Sequence, residues 1–189
     1  MAYSKGKIAG TLFFIAASQF VLGLTVAEAL YPSYSISDNY ISDLGIGPSS
    51  MIYNSSVFLL GLLVIIGTYF LQQTFNFKPL TILLVLTAIG AMGTGAFTEN
   101  SGATHAIVSL MAFLFGGLSA IASYRLLKPP LSVIAVVLGL MTLGALGIYI
   151  SGIDLGLGLG GIQRMVVYPV LMWGAGFGGH MIAHPEKTQ

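Results

Sequence analysis

Long apolar stretches separated by short polar, glycine- or proline-containing breaks dominate the pattern along this chain. Six stretches reach the roughly 20 residues that a helix rising about 1.5 Å per residue needs to cross a hydrocarbon core of about 30 Å. They cover approximately residues 8–30, 51–72, 80–97, 105–127, 131–151 and 162–183. Each is about twice as long as a barrel strand and does not alternate in polarity, which favours helices. We therefore predict an all-α integral membrane protein whose six transmembrane helices form one bundle over residues 1–189.

The composition agrees with this prediction and excludes several classes of protein. Of 189 residues, 56% are hydrophobic and 7% are charged, whereas soluble domains usually carry about 25% charged residues. A net charge of +1 excludes a polybasic nucleic-acid binder, because phosphate contacts need clustered Lys and Arg. The chain has no cysteine, so it has no disulfides, thiolate nucleophiles or cysteine metal sites.

The positions of Lys and Arg predict the orientation in the membrane. If the chain crosses six times, only Arg164 falls on one side, and the other six basic residues share the opposite side: Lys5, Lys7, Lys78, Arg125, Lys128 and Lys187. Basic residues concentrate on the cytoplasmic side of membrane proteins. We therefore predict a multi-pass protein of the cell membrane with both termini in the cytoplasm.

A cleaved signal peptide is the main alternative for the first span. Lys5 and Lys7 resemble its basic region, and Ala27-Glu28-Ala29 fits its cleavage site. The apolar stretch exceeds the usual length of about 7–15 residues, however. Cleavage would also leave an odd number of spans, so a retained first helix is the favoured interpretation.

Small residues recur four positions apart in two spans, as Ala91 with Gly95 and as Gly174 with Gly178. This spacing places them on one helix face, where two backbones can approach closely. Tight packing within the bundle is the favoured interpretation, and a dimerisation face is the alternative.

The central thirds of all six spans contain no Asp, Glu, Lys or Arg. Proton pumps, ion-coupled transporters and voltage sensors need ionisable groups there, so these functions are disfavoured. Polar residues collect instead in the connections on the predicted outer side. In the first of these, Ser42 and Asp43 precede Gly45 and Gly47, which predicts a tight turn or half-helix with inward-facing polar groups. From spacing alone, Asp43 or Ser42 capping a short helix or an Asx turn is favoured.

The second outer connection holds Glu99 and His105 within about two helical turns of each other. A carboxylate beside an imidazole is the arrangement that a general base or a metal ligand needs. Alternatively, Asn100 or Ser101 caps the next helix and His105 hydrogen-bonds a loop carbonyl. Spacing alone does not separate the two.

Arg164 follows the third outer connection and is the only basic residue among the outer acids. We expect it to pair with a nearby carboxylate, that of Asp43, Glu99 or Asp154, or to grip a lipid phosphate. Either interaction would draw the first and third outer connections together.

Two apparent motifs are discounted. Gly156-x-Gly158-x-x-Gly161 has the spacing of a dinucleotide-binding fingerprint but lacks the strand–turn–helix context that would bind a pyrophosphate. His180 and His184 are four residues apart on one helix, a spacing that allows both to bind one metal ion. Only Glu186 is nearby as a further ligand, so they are interpreted as interfacial histidines. The prediction is therefore no cofactor and no metal.

Several of these residues carry a family resemblance. The run Tyr40-Ile-Ser-Asp-Leu-Gly45, with Pro48 and then Asn54 opening the second span, resembles the signature of the prokaryotic membrane proteins called domain of unknown function 998. That group is similar to the wider Frag/DRAM/Sfk membrane proteins, which share an Ile-Ser-Asp-x-Gly element and a short His-containing entry to a later span. Gly161-Ile-Gln-Arg164, with Trp173 downstream, resembles the family's last span.

The resemblance implies a six-helix bundle whose shared polar residues lie at the outer end. Carried over to this chain, they are Ser42, Asp43, Gly45, His105 and Arg164. Eukaryotic relatives in the wider group are linked to lipid-anchor remodelling and to trafficking or autophagy. No reaction transfers from them.

Two functions follow as hypotheses. The first is binding of lipid headgroups at the outer end or packing as a subunit of a membrane complex, with Arg164, Glu99 and Asn54 as candidate ligand-binding residues. The alternative is a lipid hydrolase or transferase in which Ser42 or a water is the nucleophile, Asp43 orients, and His105 is base or metal ligand. The expected partners are membrane lipids, with a homo-oligomer or a larger membrane complex as further possibilities and no nucleic acid.

Overall fold

The computed structural model describes residues 4–185, and six long helices make up most of this range. They are α1 (Lys5–Leu30), α2 (Ser50–Phe75), α3 (Lys78–Ala96), α4 (Ala103–Ala122), α5 (Leu131–Ser151) and α6 (Gly158–Ala183). Three short 3-10 turns cover Ser42–Gly45, Glu99–Ser101 and Ser123–Leu126. All six helices are long and apolar enough to cross a membrane, and the described residues form no strand. The predicted all-α, six-span membrane architecture is confirmed.

Two element boundaries differ most from the prediction. The fourth span ends as an α-helix at Ala122 and continues as the 3-10 turn Ser123–Leu126. The sixth span begins at Gly158, so the last part of the glycine-rich break between the predicted spans 131–151 and 162–183 is helical. Three glycines of that break depart from helical geometry, with φ of +72° at Gly152, +77° at Gly156 and +73° at Gly158. These left-handed conformations suit glycine because it has no Cβ.

The helices form a closed ring in chain order. Each packs against its sequence neighbours, α6 packs against α1, and α6 also touches α4. The small-residue motifs lie at these contacts: a Cβ on Gly178 would stand 2.6 Å from the Phe14 nitrogen of α1, and a Cβ on Gly95 would stand 2.6 Å from the Asn54 oxygen of α2. Packing within the bundle is thus confirmed as the role of both motifs.

The two ends of the ring differ in character. The start of α1 lies against the end of α6, where a Cβ on Gly6 would meet the Pro185 carbonyl. In this half of the bundle Trp173 stacks on Phe177 at 5.4 Å between ring centroids, and the indole Nε1 donates to Ser123 Oγ at 2.9 Å. The opposite end, called the polar end below, carries the first loop (residues 31–49), the second loop (97–102) and the third loop (152–157). That the polar end faces outside the cell stays a prediction from the charge pattern.

Candidate functional site

The three loops converge at the polar end. Ser37 of the first loop donates through Oγ to the Leu157 carbonyl at 2.8 Å, and its own carbonyl accepts from the Gly160 N–H at 2.9 Å. The 3-10 turns of the first and second loops contact each other. The expected meeting of the first and third loops is confirmed.

Arg164 is the centre of this convergence. It is 4% exposed, and its Nη2 donates to Glu28 Oε1 at 2.6 Å and to the Tyr34 hydroxyl at 2.7 Å. A guanidinium carries five donors in a fixed plane, so it can bind several acceptors at once. Nη1 donates to three backbone carbonyls at 2.9–3.2 Å, those of Ile36, Asn39 and Gly160. Arg164 therefore ties α1, the first loop and α6 together.

The expected ion-pair partners of Arg164 are wrong. The structure pairs it with Glu28, not with Asp43, Glu99 or Asp154. The physical reason is that α6 packs against α1, which brings the last turn of α1 beside the first turns of α6. Asp154 instead accepts from the Gly156 N–H at 3.0 Å in an exposed turn. Contact between Arg164 and a ligand stays a prediction.

The glycines at the start of α6 allow the first loop to pack closely. A Cβ on Gly160 would lie 2.2 Å from the Asn39 carbonyl oxygen, and a Cβ on Gly158 would lie 2.2 Å from the Ser37 oxygen. Gly158 also has a φ of +73°. Among the three glycines whose spacing resembles a dinucleotide fingerprint, only Gly158 makes this contact with the first loop.

Asp43 and Asn54 hold the 3-10 turn of the first loop. Asp43 Oδ2 accepts from the Tyr40 backbone N–H and from Asn39 Nδ2, both at 3.0 Å. Asn54 Nδ2 reaches from the start of α2 to the Gly45 carbonyl at 2.9 Å. The predicted cap by Asp43 or Ser42 is wrong: Ile41 occupies the N-cap position of the 3-10 turn without a side-chain hydrogen bond, and Asp43 accepts from an N–H three residues before it. Neither Asp43 nor Asn54 lines a cavity described below, and their catalytic and ligand-binding roles stay predictions.

His105 lies in the first turn of α4 and is 9% exposed. Its Nδ1 lies 2.7 Å from the Phe97 carbonyl, which accepts but cannot donate, so Nδ1 carries a proton. Its Nε2 lies 3.2 Å from Ser109 Oγ, and Ser109 Oγ lies 3.3 Å from Thr94 Oγ1. The predicted hydrogen bond between His105 and a loop carbonyl is confirmed. The predicted N-cap of α4 by Asn100 or Ser101 is wrong, because Gly102 occupies that position.

Glu99 lies near the other candidate residues. Burial raises the pKa of its carboxyl, and the neighbouring Asp43 raises it further, while His105 and Ser42 oppose the shift. Its Oε2 atom is buried without a hydrogen-bond partner among the described residues. An unpaired buried acceptor costs free energy, and ligand binding by Glu99 stays a prediction.

Two adjacent cavities lie beside these residues. A lateral cleft of about 500 Å³ opens between α4 and α5. Its polar lining residues are Ser42, Glu99, His105, Ser109, Tyr149 and Gln163. An inner cavity of about 80 Å³ lies inside the helix ring, and both cavities share five lining residues: Ser42, His105, Ser109, Phe113 and Gln163. The lateral cleft leads to the membrane-facing surface, because Leu110 and Ile150 on its walls are 42% and 67% exposed.

Sequence reasoning missed Ser109, Tyr149 and Gln163. Ser109 lies four residues after His105, a spacing that places both on one helix face. Gln163 immediately precedes Arg164, yet a neutral amide in an apolar helix gave no signal of its own. No pattern in the sequence singled out Tyr149.

The two remaining histidines lie far from the lateral cleft. His180 and His184 stack with ring centroids 4.5 Å apart near the end of α6. Their expected acidic neighbour, Glu186, lies outside the described residues. Within residues 4–185, no group of three or more His, Asp or Glu side chains is arranged to hold a metal ion.

Comparison with known proteins places the chain in a family. No curated protein and no solved structure matches it significantly. The family described as protein of unknown function (DUF998) matches residues 14–180, which contain α2 to α5, most of α1 and α6, and every candidate residue at the polar end. The likeness to the wider Frag/DRAM/Sfk group stays a prediction. With a match that covers most of its length, this polytopic membrane protein belongs to the DUF998 family.

Proposed function

We propose that the protein binds a membrane lipid in the lateral cleft, with the polar part of the lipid against Glu99 and His105 and its chain along the walls formed by α4 and α5. The observation that carries this proposal is the continuity of one cleft from buried polar residues to the membrane-facing surface. A lipid could enter sideways from its own leaflet without leaving the membrane.

The chemistry of the cleft supports this proposal. A buried polar atom is costly unless it has a partner, and Glu99 Oε2 has none among residues 4–185. The remaining walls are apolar, with Leu110, Phe113 and Leu146 among the lining residues. A molecule with a polar head and an apolar chain satisfies both kinds of surface.

A lipid hydrolase or transferase is the second candidate. Ser42 and His105 line the same cleft, which favours it. Both ring nitrogens of His105 already have partners, Phe97 and Ser109, and Asp43 bonds within its own loop. A reaction at Ser42 would therefore require the His105 ring to exchange a partner, whereas binding requires no such change.

A role as a subunit of a homo-oligomer or a larger membrane complex would leave the lateral cleft without a ligand of its own. Lipid binding and a subunit role therefore differ at the lateral cleft rather than at the outer surface of the ring, and an experiment that separates them must probe the cleft.

The test is mass spectrometry of lipids that co-purify with the wild type and with His105→Ala. His180→Ala is the matched control, since His180 lies at the opposite end of the bundle. Binding predicts that His105→Ala loses a specific lipid that the wild type and the control retain. Chemically altered lipid in the wild type alone would favour the enzyme. Identical lipid content in all three proteins would contradict lipid binding at this site.

A further inference from the structure

Gln163 presents a hydrogen-bond donor to the cleft. Its side chain is 4% exposed and lines both the lateral cleft and the inner cavity. Its Oε1 accepts from the Ile41 backbone N–H, which fixes the orientation of the amide because only the oxygen can accept. The Nε2 group, with two N–H donors, has no partner among the hydrogen bonds of residues 4–185. Such a group lacks only an acceptor from a ligand.

The charges around the cleft restrict that acceptor. Among residues 4–185, Arg164 is the only Lys or Arg at the polar end, and its hydrogen bonds go to Glu28, Tyr34 and backbone carbonyls. It lines neither cavity. Glu99 and the nearby Asp43 are both acids. A phosphate in the cleft would meet the Glu99 carboxyl and no Lys or Arg, and the ring nitrogens of His105 already face the Phe97 carbonyl and Ser109 Oγ. That environment is unfavourable for an anion at low local dielectric.

We propose that the ligand is an uncharged amphiphile with a free hydroxyl, such as a diacylglycerol or a long-chain alcohol, recognised by the Gln163 amide and the Glu99 carboxyl. This inference rests on the proposed lipid-binding function and names its ligand class.

A hydroxyl fits both groups because it accepts and donates at once. Its oxygen accepts from Gln163 Nε2, and its proton goes to the unpartnered Glu99 Oε2. An ammonium group would satisfy the carboxyl but could not accept from the amide. A phosphate would accept from the amide but would be repelled by the carboxyl when ionised.

The test compares three probes with matched chains: a diacylglycerol, a phosphatidic acid and a long-chain alkylamine. Their binding to the purified full chain in detergent is measured by native mass spectrometry. The key variant is Gln163→Glu, which keeps an acceptor for the Ile41 N–H but removes the N–H donors. The control is Ser18→Ala, in the groove between α1 and α6 on the other side of the ring.

The wild type is expected to prefer the diacylglycerol, and Gln163→Glu to weaken that binding roughly tenfold, as expected for one lost hydrogen bond in a buried site. Ser18→Ala should bind like the wild type. A preference of the wild type for phosphatidic acid or for the amine would overturn the ligand class while leaving lipid binding intact. The proposed site itself would be overturned if all three probes bind and if neither Gln163→Glu nor any other substitution in the lateral cleft changes their binding. If Gln163→Glu does not fold, the ranking of the probes on the wild type still decides the ligand class.

Discussion

Arg164 has its guanidinium surrounded by a carboxylate, a tyrosine hydroxyl and three carbonyls, so its removal leaves several buried acceptors without a donor. We predict that Arg164→Met lowers the free energy of unfolding by about 3–5 kcal/mol, the usual cost of breaking a buried ion pair by removing one partner. Glu28→Gln should cost less, because the amide oxygen still accepts a hydrogen bond. Thermal unfolding in detergent, followed by the fluorescence of the single tryptophan, measures both. Arg164→Met unfolding at the wild-type temperature would contradict this role.

Glu99 makes stability depend on pH. Burial and Asp43 raise the pKa of its carboxyl in the folded state, so the folded protein binds more protons than the unfolded chain between the two pKa values. Stability is therefore lost as pH rises from the ordinary Glu range, about 4.3, through the raised value. We predict that the melting temperature of the wild type declines over this window and that Glu99→Gln reduces the decline. The exposed Asp38→Asn is the control; an equal decline in all three proteins would exclude Glu99 as the cause.

Single residues were the hardest to predict from the sequence. The number of membrane crossings predicted that one end of the bundle holds Ser42, His105 and Glu99. It did not predict the partner of Arg164, because the choice of Glu28 depends on which helices are neighbours in the ring. Gln163 was missed because a single amide in an apolar helix indicates no role by itself. Its role becomes visible only when the structure shows that the amide oxygen is hydrogen-bonded and the amide nitrogen is not.

The start of α6 depends on the absence of a side chain at Gly160. We predict that Gly160→Ala destabilises the protein by about 1–3 kcal/mol, the usual cost of overpacking, because the added Cβ would lie 2.2 Å from the Asn39 oxygen. Gly176→Ala in the same helix is the matched control, since a Cβ there meets nothing within 4 Å. It should be neutral or slightly stabilising, as alanine favours helix more than glycine does. Equal melting temperatures for the two variants would contradict close packing of the first loop on α6.

The helices themselves were predictable because the membrane sets their length and excludes water from their backbones. Their ends were less predictable. Glycine marks both a break, as at Gly152, and a close contact inside a helix, as at Gly160, and the sequence does not distinguish these uses. The closure of the ring by α6 against α1 is likewise a tertiary property that no local pattern encodes.

The orientation of the whole molecule is open to a direct test because the chain has no native cysteine. We predict that Asn100→Cys, in the second loop, reacts with a membrane-impermeant maleimide in intact cells. Lys128→Cys, at the opposite end, should react only after the membrane is permeabilised. Both positions are exposed, so the difference reports the side of the membrane. The reverse pattern would contradict the predicted cytoplasmic termini and would turn the polar end toward the cytoplasm.

The central claim is that a lipid occupies the lateral cleft between α4 and α5. The most direct measurement is photo-crosslinking with a lipid that carries a photoactivatable group close to its polar head, followed by peptide mapping of the adducts. The account predicts adducts concentrated in residues 99–113 and 146–163, which hold most of the cleft lining. Adducts spread evenly over the outer surface of the ring, or concentrated in the groove between α1 and α6 that Ser18 and Tyr168 line, would contradict it.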